Sequence, residues 1–188
     1  MISNQSLPIP ARLCAAAFAI VLLTAQMAPP LRPPEKLQEK EKITVAGEDM
    51  FAIGFDKLAA FDYTIVDAAT GASAEEIEIA RKRDQVPDWV RFYDQKRVAL
   101  TGFMLPLQVE NGLTKKLIIM RDISTCCFGN VPNMNEYVIV TMKDAGVKAV
   151  QDVPVVMTGI FKIEEKYENG YIVSLFQLDG EKFIGPKK

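Results

Sequence analysis

Five stretches in the second half of the chain constrain its fold more than anything else. They are RVALTGFMLPL from Arg97, KKLIIMRDI from Lys115, EYVIVTM from Glu136, VPVVMTGIFKIEE from Val153 and GYIVSLFQLD from Gly170. Each is rich in β-branched and aliphatic residues, and each has the length of a strand rather than a helix. The Asn169-Gly170 pair between the last two is a strong hairpin signal, because both central residues of a type I′ turn need positive φ. Two of the stretches echo one another: VALTGFM (98–104) and VVMTGIF (155–161) share Val-x-x-Thr-Gly followed by an apolar residue. A glycine inside a strand gives up packing and marks a bulge or sharp bend. Gly102 and Gly159 therefore suggest strands curling around a small closed barrel. The fold class expected is mainly β, a small OB-like five-stranded barrel over 97–188 with a short helical N-terminal extension; a β-sandwich is the runner-up.

The extension, residues 43–96, has a mixed pattern. A strand-like YTIV (63–66) is followed by a turn at ATGA. Ser73 stands three residues before Glu76, with Ile77 and Ile79 beyond, which is a capping-box signature for a short helix reaching about Arg83. Pro87 opens a second short turn or helix carrying Trp89, Val90 and Phe92. Trp89 reads as a core or lid plug over the barrel rather than as a ligand-stacking ring.

The chain begins with features of an export signal. Arg12 precedes an apolar run from Leu13 to Ala25. That run falls short of the roughly 20 apolar residues of a membrane span and suits the apolar region of a secretory signal. Residues 1–28 are read as a signal peptide or signal anchor, with Ala25 the best small residue for cleavage and a retained anchor left open. Cys14 would leave with a cleaved signal. Residues 29–42, PPLRPPEKLQEKEK, carry four prolines and then alternating charges and read as an extended, solvated linker. The protein is expected in the periplasm, or anchored in the membrane and facing it.

Composition removes several classes of function. The 188 residues carry a formal net charge of −2 and no histidine. Histidine-based nucleophilic catalysis and histidine-ligated zinc are thereby excluded. No basic block marks a phosphate-binding surface, so nucleic acid is not an expected partner.

The remaining oddity is CCFGNVPNMNE, 126–136, after the second strand. Cys126 and Cys127 are adjacent, and Gly129 and Pro132 suggest that the backbone turns there. Three readings stay open. The thiols can simply fill tight space at one end of the barrel. They can bind a soft ion such as Cu(I), which needs few ligands. In an oxidising compartment they can also close a strained, easily reduced disulfide. Asn130, Asn133, Asn135 and Glu136 are turn formers first and ligands second. Asp122 and Asp144 read as ordinary strand-end carboxylates.

These segments together resemble a family of bacterial secreted proteins catalogued as domain of unknown function 3299. RVALTGFMLPL, LIIMRD, CCFGNVPNMNEYVIV and VPVVMTGIF carry the resemblance, with IGFDKLAAFDY and VPDWVRFYDQKRV similar to the family's N-terminal part. It spans roughly Met50 to Asp179, and the Cys-Cys-Phe-Gly run is its most specific element. The resemblance implies export, an OB-like β-fold and no established enzymatic activity; some members look like accessory proteins of ABC-type export or metal-uptake systems. Many relatives carry a histidine shortly after the proline, where this chain has Asn135 or its neighbours.

The reading drawn from all this is a non-enzymatic binding or accessory module of the cell envelope. Its partner is expected to be an envelope protein or an ABC-type transporter component, with no cofactor required. The binding loop is expected to be Cys126, Cys127, Phe128, Gly129, Asn130, Pro132, Asn133, Asn135 and Glu136. The alternative is a soft-metal or thiol-redox protein using Cys126 and Cys127, which would then be the metal ligands.

Overall fold

The computed structural model describes residues 42–123 and 131–186. The signal expected over 1–28, and the linker except for Lys42, lie outside the described residues. The fold is mainly β. Seven strands form one sheet: β1 (Lys42–Val45), β2 (Glu48–Ile53), β3 (Arg97–Glu110), β4 (Leu113–Met120), β5 (Tyr137–Met142), β6 (Pro154–Glu168) and β7 (Tyr171–Pro186). Between β2 and β3 come α1 (Phe55–Leu58), a 3-10 turn (Ala68–Thr70), α2 (Ala74–Arg81) and α3 (Asp88–Arg91).

The last five strands are the five β-branched stretches, and they pair in a closed ring. β3 pairs antiparallel with β4, β4 with β5, β5 parallel with β7, and β7 antiparallel with β6. β6 returns to β3, where Arg97 faces Ile160 and Phe103 faces Pro154. β2 lies parallel to β3 along Val98–Leu100. Since β6 holds one edge of β3 throughout this stretch, β2 and β4 share the other edge in succession.

Ring closure buries the apolar faces. Leu100, Leu117, Ile119, Met157, Phe161, Phe176 and Leu178 have lost essentially all their exposure. The rings of Phe161 and Phe176 stand 5.4 Å apart. Each such side chain contributes about 1.5–3 kcal/mol by leaving water. Leu58, Val86, Val90 and Tyr93, from the segment before β3, join the same cluster. Trp89 and Phe61 pack against it, half-buried and edge to face at 6.3 Å.

The two echoed glycines do different jobs. At Gly159 the β6–β7 register shifts, and an added Cβ would lie 2.1 Å from the Asp179 carbonyl oxygen. This is the bulge the sequence suggests, and it lets two backbones touch. At Gly102 the β3–β6 register runs on unbroken. There a Cβ would lie 2.6 Å from Ile119 Cγ2 and 2.8 Å from Phe55 Cε2. Gly102 makes room where β3 exchanges β2 for β4.

The β6–β7 hairpin turns through Asn169 (φ 53°) and Gly170 (φ 85°), as a type I′ turn requires. A second hairpin, β3 to β4, uses Asn111 and Gly112 in the same way. The expected helix after Ser73 is α2, and its capping box is complete: Ser73 Oγ accepts from Glu76 N at 3.3 Å, and Ser73 N donates to Glu76 Oε2 at 2.8 Å.

The strand expected at YTIV does not form. The Thr64 N–H donates to Gln85 Oε1 at 2.9 Å, and Gln85 Nε2 donates back to the Thr64 carbonyl at 3.0 Å. A side-chain amide thus takes the place of a neighbouring strand. Conversely, the β1–β2 hairpin stands where the sequence showed only a mixed pattern.

Candidate functional site

The connection between β4 and β5, residues 121–136, is the longest in the ring. Cys126, Cys127, Phe128, Gly129 and Asn130 lie outside the described residues. Its two stems are described, and they are clamped together. The last ladder pair, Met120 with Tyr137, is extended by a backbone bond from Arg121 N to the Glu136 carbonyl at 3.0 Å. Glu136 N donates to the Asn133 carbonyl at 2.9 Å, closing a turn.

The Glu136 carboxylate is the hub of this neck. Its Oε1 accepts from Arg121 Nη1 at 3.0 Å. Its Oε2 accepts from Asn133 N at 3.0 Å and from Asn133 Nδ2 at 3.1 Å. An exposed ion pair alone is worth at most about 1 kcal/mol, but three donors converging on one carboxylate fix the geometry of both stems. Both oxygens are occupied, so Glu136 is built as a brace rather than as a base.

The other expected site residues separate in space. Pro132 and Glu136 line a cleft of about 250 Å³ with Met120, Arg121 and Asp122. Asn133 is exposed, whereas Asn135 is buried and points inward. Its Nδ2 donates to the Phe61 carbonyl at 2.6 Å, tying the stem to the segment before β3. Next to it, the buried Tyr137 hydroxyl lies 3.0 Å from the Val173 carbonyl, with Met134 Sδ 2.9 Å away. Burial pushes the Tyr137 phenol up to about 12. Val131 is 88% exposed. Among the described residues no group of three or more carboxylates or thiols is placed to hold a metal ion.

Sequence reasoning missed a second polar cluster. Glu165 on β6 accepts from the Tyr63 hydroxyl at 2.5 Å and from the Tyr167 hydroxyl at 3.0 Å. The Arg81 guanidinium lies over the Tyr167 ring, 4.0 Å from its centroid. Burial, and then the Glu165 carboxylate, raise the Tyr63 phenol above its ordinary value; Tyr167 is raised for the same reasons in the same order. Tyr63 and Glu165 are far apart in sequence, and no local pattern links them.

The family model described as "Protein of unknown function (DUF3299)" matches residues 31–183. The chain belongs to this family. A crystal structure of a DUF3299 family protein from Pseudomonas aeruginosa PAO1 shares its fold, with a TM-score of 0.50 and 19% sequence identity. The match covers 73% of this chain and 95% of that one. No curated protein matches this DUF3299 chain.

Proposed function

We propose that the protein is an exported, non-enzymatic binding module of the cell envelope, with an OB-like barrel as its scaffold and the 121–136 connection as its working surface. Numbered within the ring, the strands run first-second-third-fifth-fourth, with the third and fifth parallel. Such an order supports the OB-like reading. OB barrels commonly bind through the loops between strands one and two and between strands four and five. Here those two loops are the tight turns at Asn111-Gly112 and Asn169-Gly170, which offer few side chains. Binding is thereby shifted to the longer connection.

The observation that carries the proposal is the Arg121–Glu136–Asn133 brace. It fixes the two stems of the longest connection in the ring, and a loop held on a rigid scaffold is a common arrangement for recognition. The partner we favour is a membrane transport complex, ABC-type in the first instance. Cys126 and Cys127 sit at the far part of this loop in sequence, and soft-metal or thiol chemistry is the second reading of the same surface.

A photoreactive residue introduced at Val131, in the native host, tests the proposal. The expected result is a crosslink to an envelope protein that is lost when Glu136 is changed to Ala. No crosslink at Val131, or a fusion reporter showing that the chain stays in the cytosol, overturns it. Metal bound by the wild type and released in both Cys126→Ser and Cys127→Ser would shift the assignment to the thiols.

A further inference from the structure

A second cleft, of about 310 Å³, opens between the end of α2, the connection from α2 to α3, the last residue of α3 and the middle of β6. Its floor is apolar, formed by Val86, Ile163 and Leu175. Its walls carry both signs of charge; Glu164, at the exposed rim, has no ion-pair or hydrogen-bond partner for its carboxylate among the described residues, whereas the other two acids are engaged. Both oxygens of Glu165 are taken by tyrosine hydroxyls. Asp84 Oδ1 accepts from Val86 N at 3.1 Å and from Arg91 Nη2. Two of the cations have donors to spare. Arg83 lines the cleft, and among the described residues its guanidinium has no ion-pair or hydrogen-bond partner. The Arg91 Nε–H is buried and finds no acceptor. A buried donor left without an acceptor is destabilising, more so when it is charged.

We propose that this cleft binds a small carboxylate with a short apolar body. The carboxylate accepts from the Arg83 and Arg91 guanidinium groups, and the body rests on Val86, Ile163 and Leu175. Guanidinium groups suit carboxylates because their donors are planar and forked. The apolar floor separates this ligand from a bare inorganic anion, which would leave that floor wet. The site is distinct from the 121–136 loop and does not depend on the binding role proposed for it.

The test is a titration of the full chain with benzoate, followed by backbone amide NMR, with inorganic phosphate in a parallel arm. Saturable shifts centred on residues 81–91 and 163–165 are expected with benzoate, and much weaker ones with phosphate. Arg83→Gln should weaken benzoate about tenfold, as loss of a charge-assisted bond does. It should leave the fold intact, since that side chain holds no partner. Arg91→Gln should weaken binding as well, while Arg121→Gln, at the loop neck, should not. The proposal is overturned by the absence of saturable shifts with benzoate, by binding unchanged in Arg83→Gln, or by phosphate binding the tighter of the two.

Discussion

The ring of β3–β7 and the segment before it, residues 42–96, are held by different means. The ring is held by strand pairing that closes on itself and by side chains that have left water entirely. The earlier segment contributes Leu58, Val86 and Val90 to the same core, yet much of its path is fixed by single polar anchors. Asp67 accepts from Ala69 N, Thr70 N and Ile172 N. Asp94 accepts from Ile163 N at 2.9 Å. Asn135 holds the Phe61 carbonyl, and Gln85 holds both backbone groups of Thr64. The difference shows two ways of satisfying a backbone. A strand uses its neighbour; an irregular path needs a side chain at each exposed group.

This contrast can be broken from either side. The largest effect is expected from Phe161→Ala, which empties the middle of the ring. It should lower stability by about 3–5 kcal/mol in denaturant titration, and a loss below about 1 kcal/mol would mean the ring is not the principal core. Gly159→Ala comes next, at about 3 kcal/mol, because its methyl group has only the Asp179 carbonyl to move. An unchanged midpoint would show that β6 and β7 do not meet there. Asp67→Ala should cost about 2 kcal/mol. Amide exchange should quicken around 67–72 and at Ile172 while the ring strands stay protected; uniform quickening would deny that the two regions are held separately.

Alkali sharpens the same boundary, since Tyr63 and Tyr137 stand where the early segment and the loop stem meet the ring. Burial raises both phenols above the unfolded value of 10.0. The folded state therefore keeps protons that the unfolded chain gives up. The stabilisation is complete below the unfolded value and is lost as pH climbs toward the folded value, about 12 for Tyr137. Each raised phenol approaches a slope of about 1.4 kcal/mol per pH unit in that window. Tyrosinate absorbance followed beside the unfolding midpoint checks it, and Tyr137→Phe should flatten the decline. The smallest effect belongs to Ser73→Ala, which opens the α2 capping box. About 1 kcal/mol is expected, seen as a modest fall in Tm.

What could be read from the sequence follows the same division. The five ring strands were legible because β-branched runs and an Asn-Gly turn are local signals. The capping box at Ser73 was legible for the same reason. β1 and β2 were not, because Lys42–Ile53 carries no long apolar run and turns through Ala46 (φ 52°) ahead of Gly47, without the Asn-Gly signature. YTIV misled because strand composition says nothing about whether a partner strand is available, and there Gln85 supplies the hydrogen bonds. At the loop, Asn135 read as a turn former or ligand and is a buried tie to Phe61. Glu136 read as part of the binding loop, and its carboxylate braces the two stems of that loop. Sequence could place both residues at the loop but could not tell which way either side chain points.

The parallel pairing of β5 with β7, together with the return of β6 to β3, gives the molecule an order of assembly. The β3–β6 seam needs the chain up to Ile160, the β5–β7 seam cannot form until residues near Gln177 are present, and such distant pairings are slow to find. A growing polypeptide must therefore leave the ring open, with edges of β5 and β6 unpaired, until β7 arrives. Chaperone protection would matter most in that interval, and a stop codon placed just before Tyr171 should leave an aggregating fragment rather than a smaller working protein.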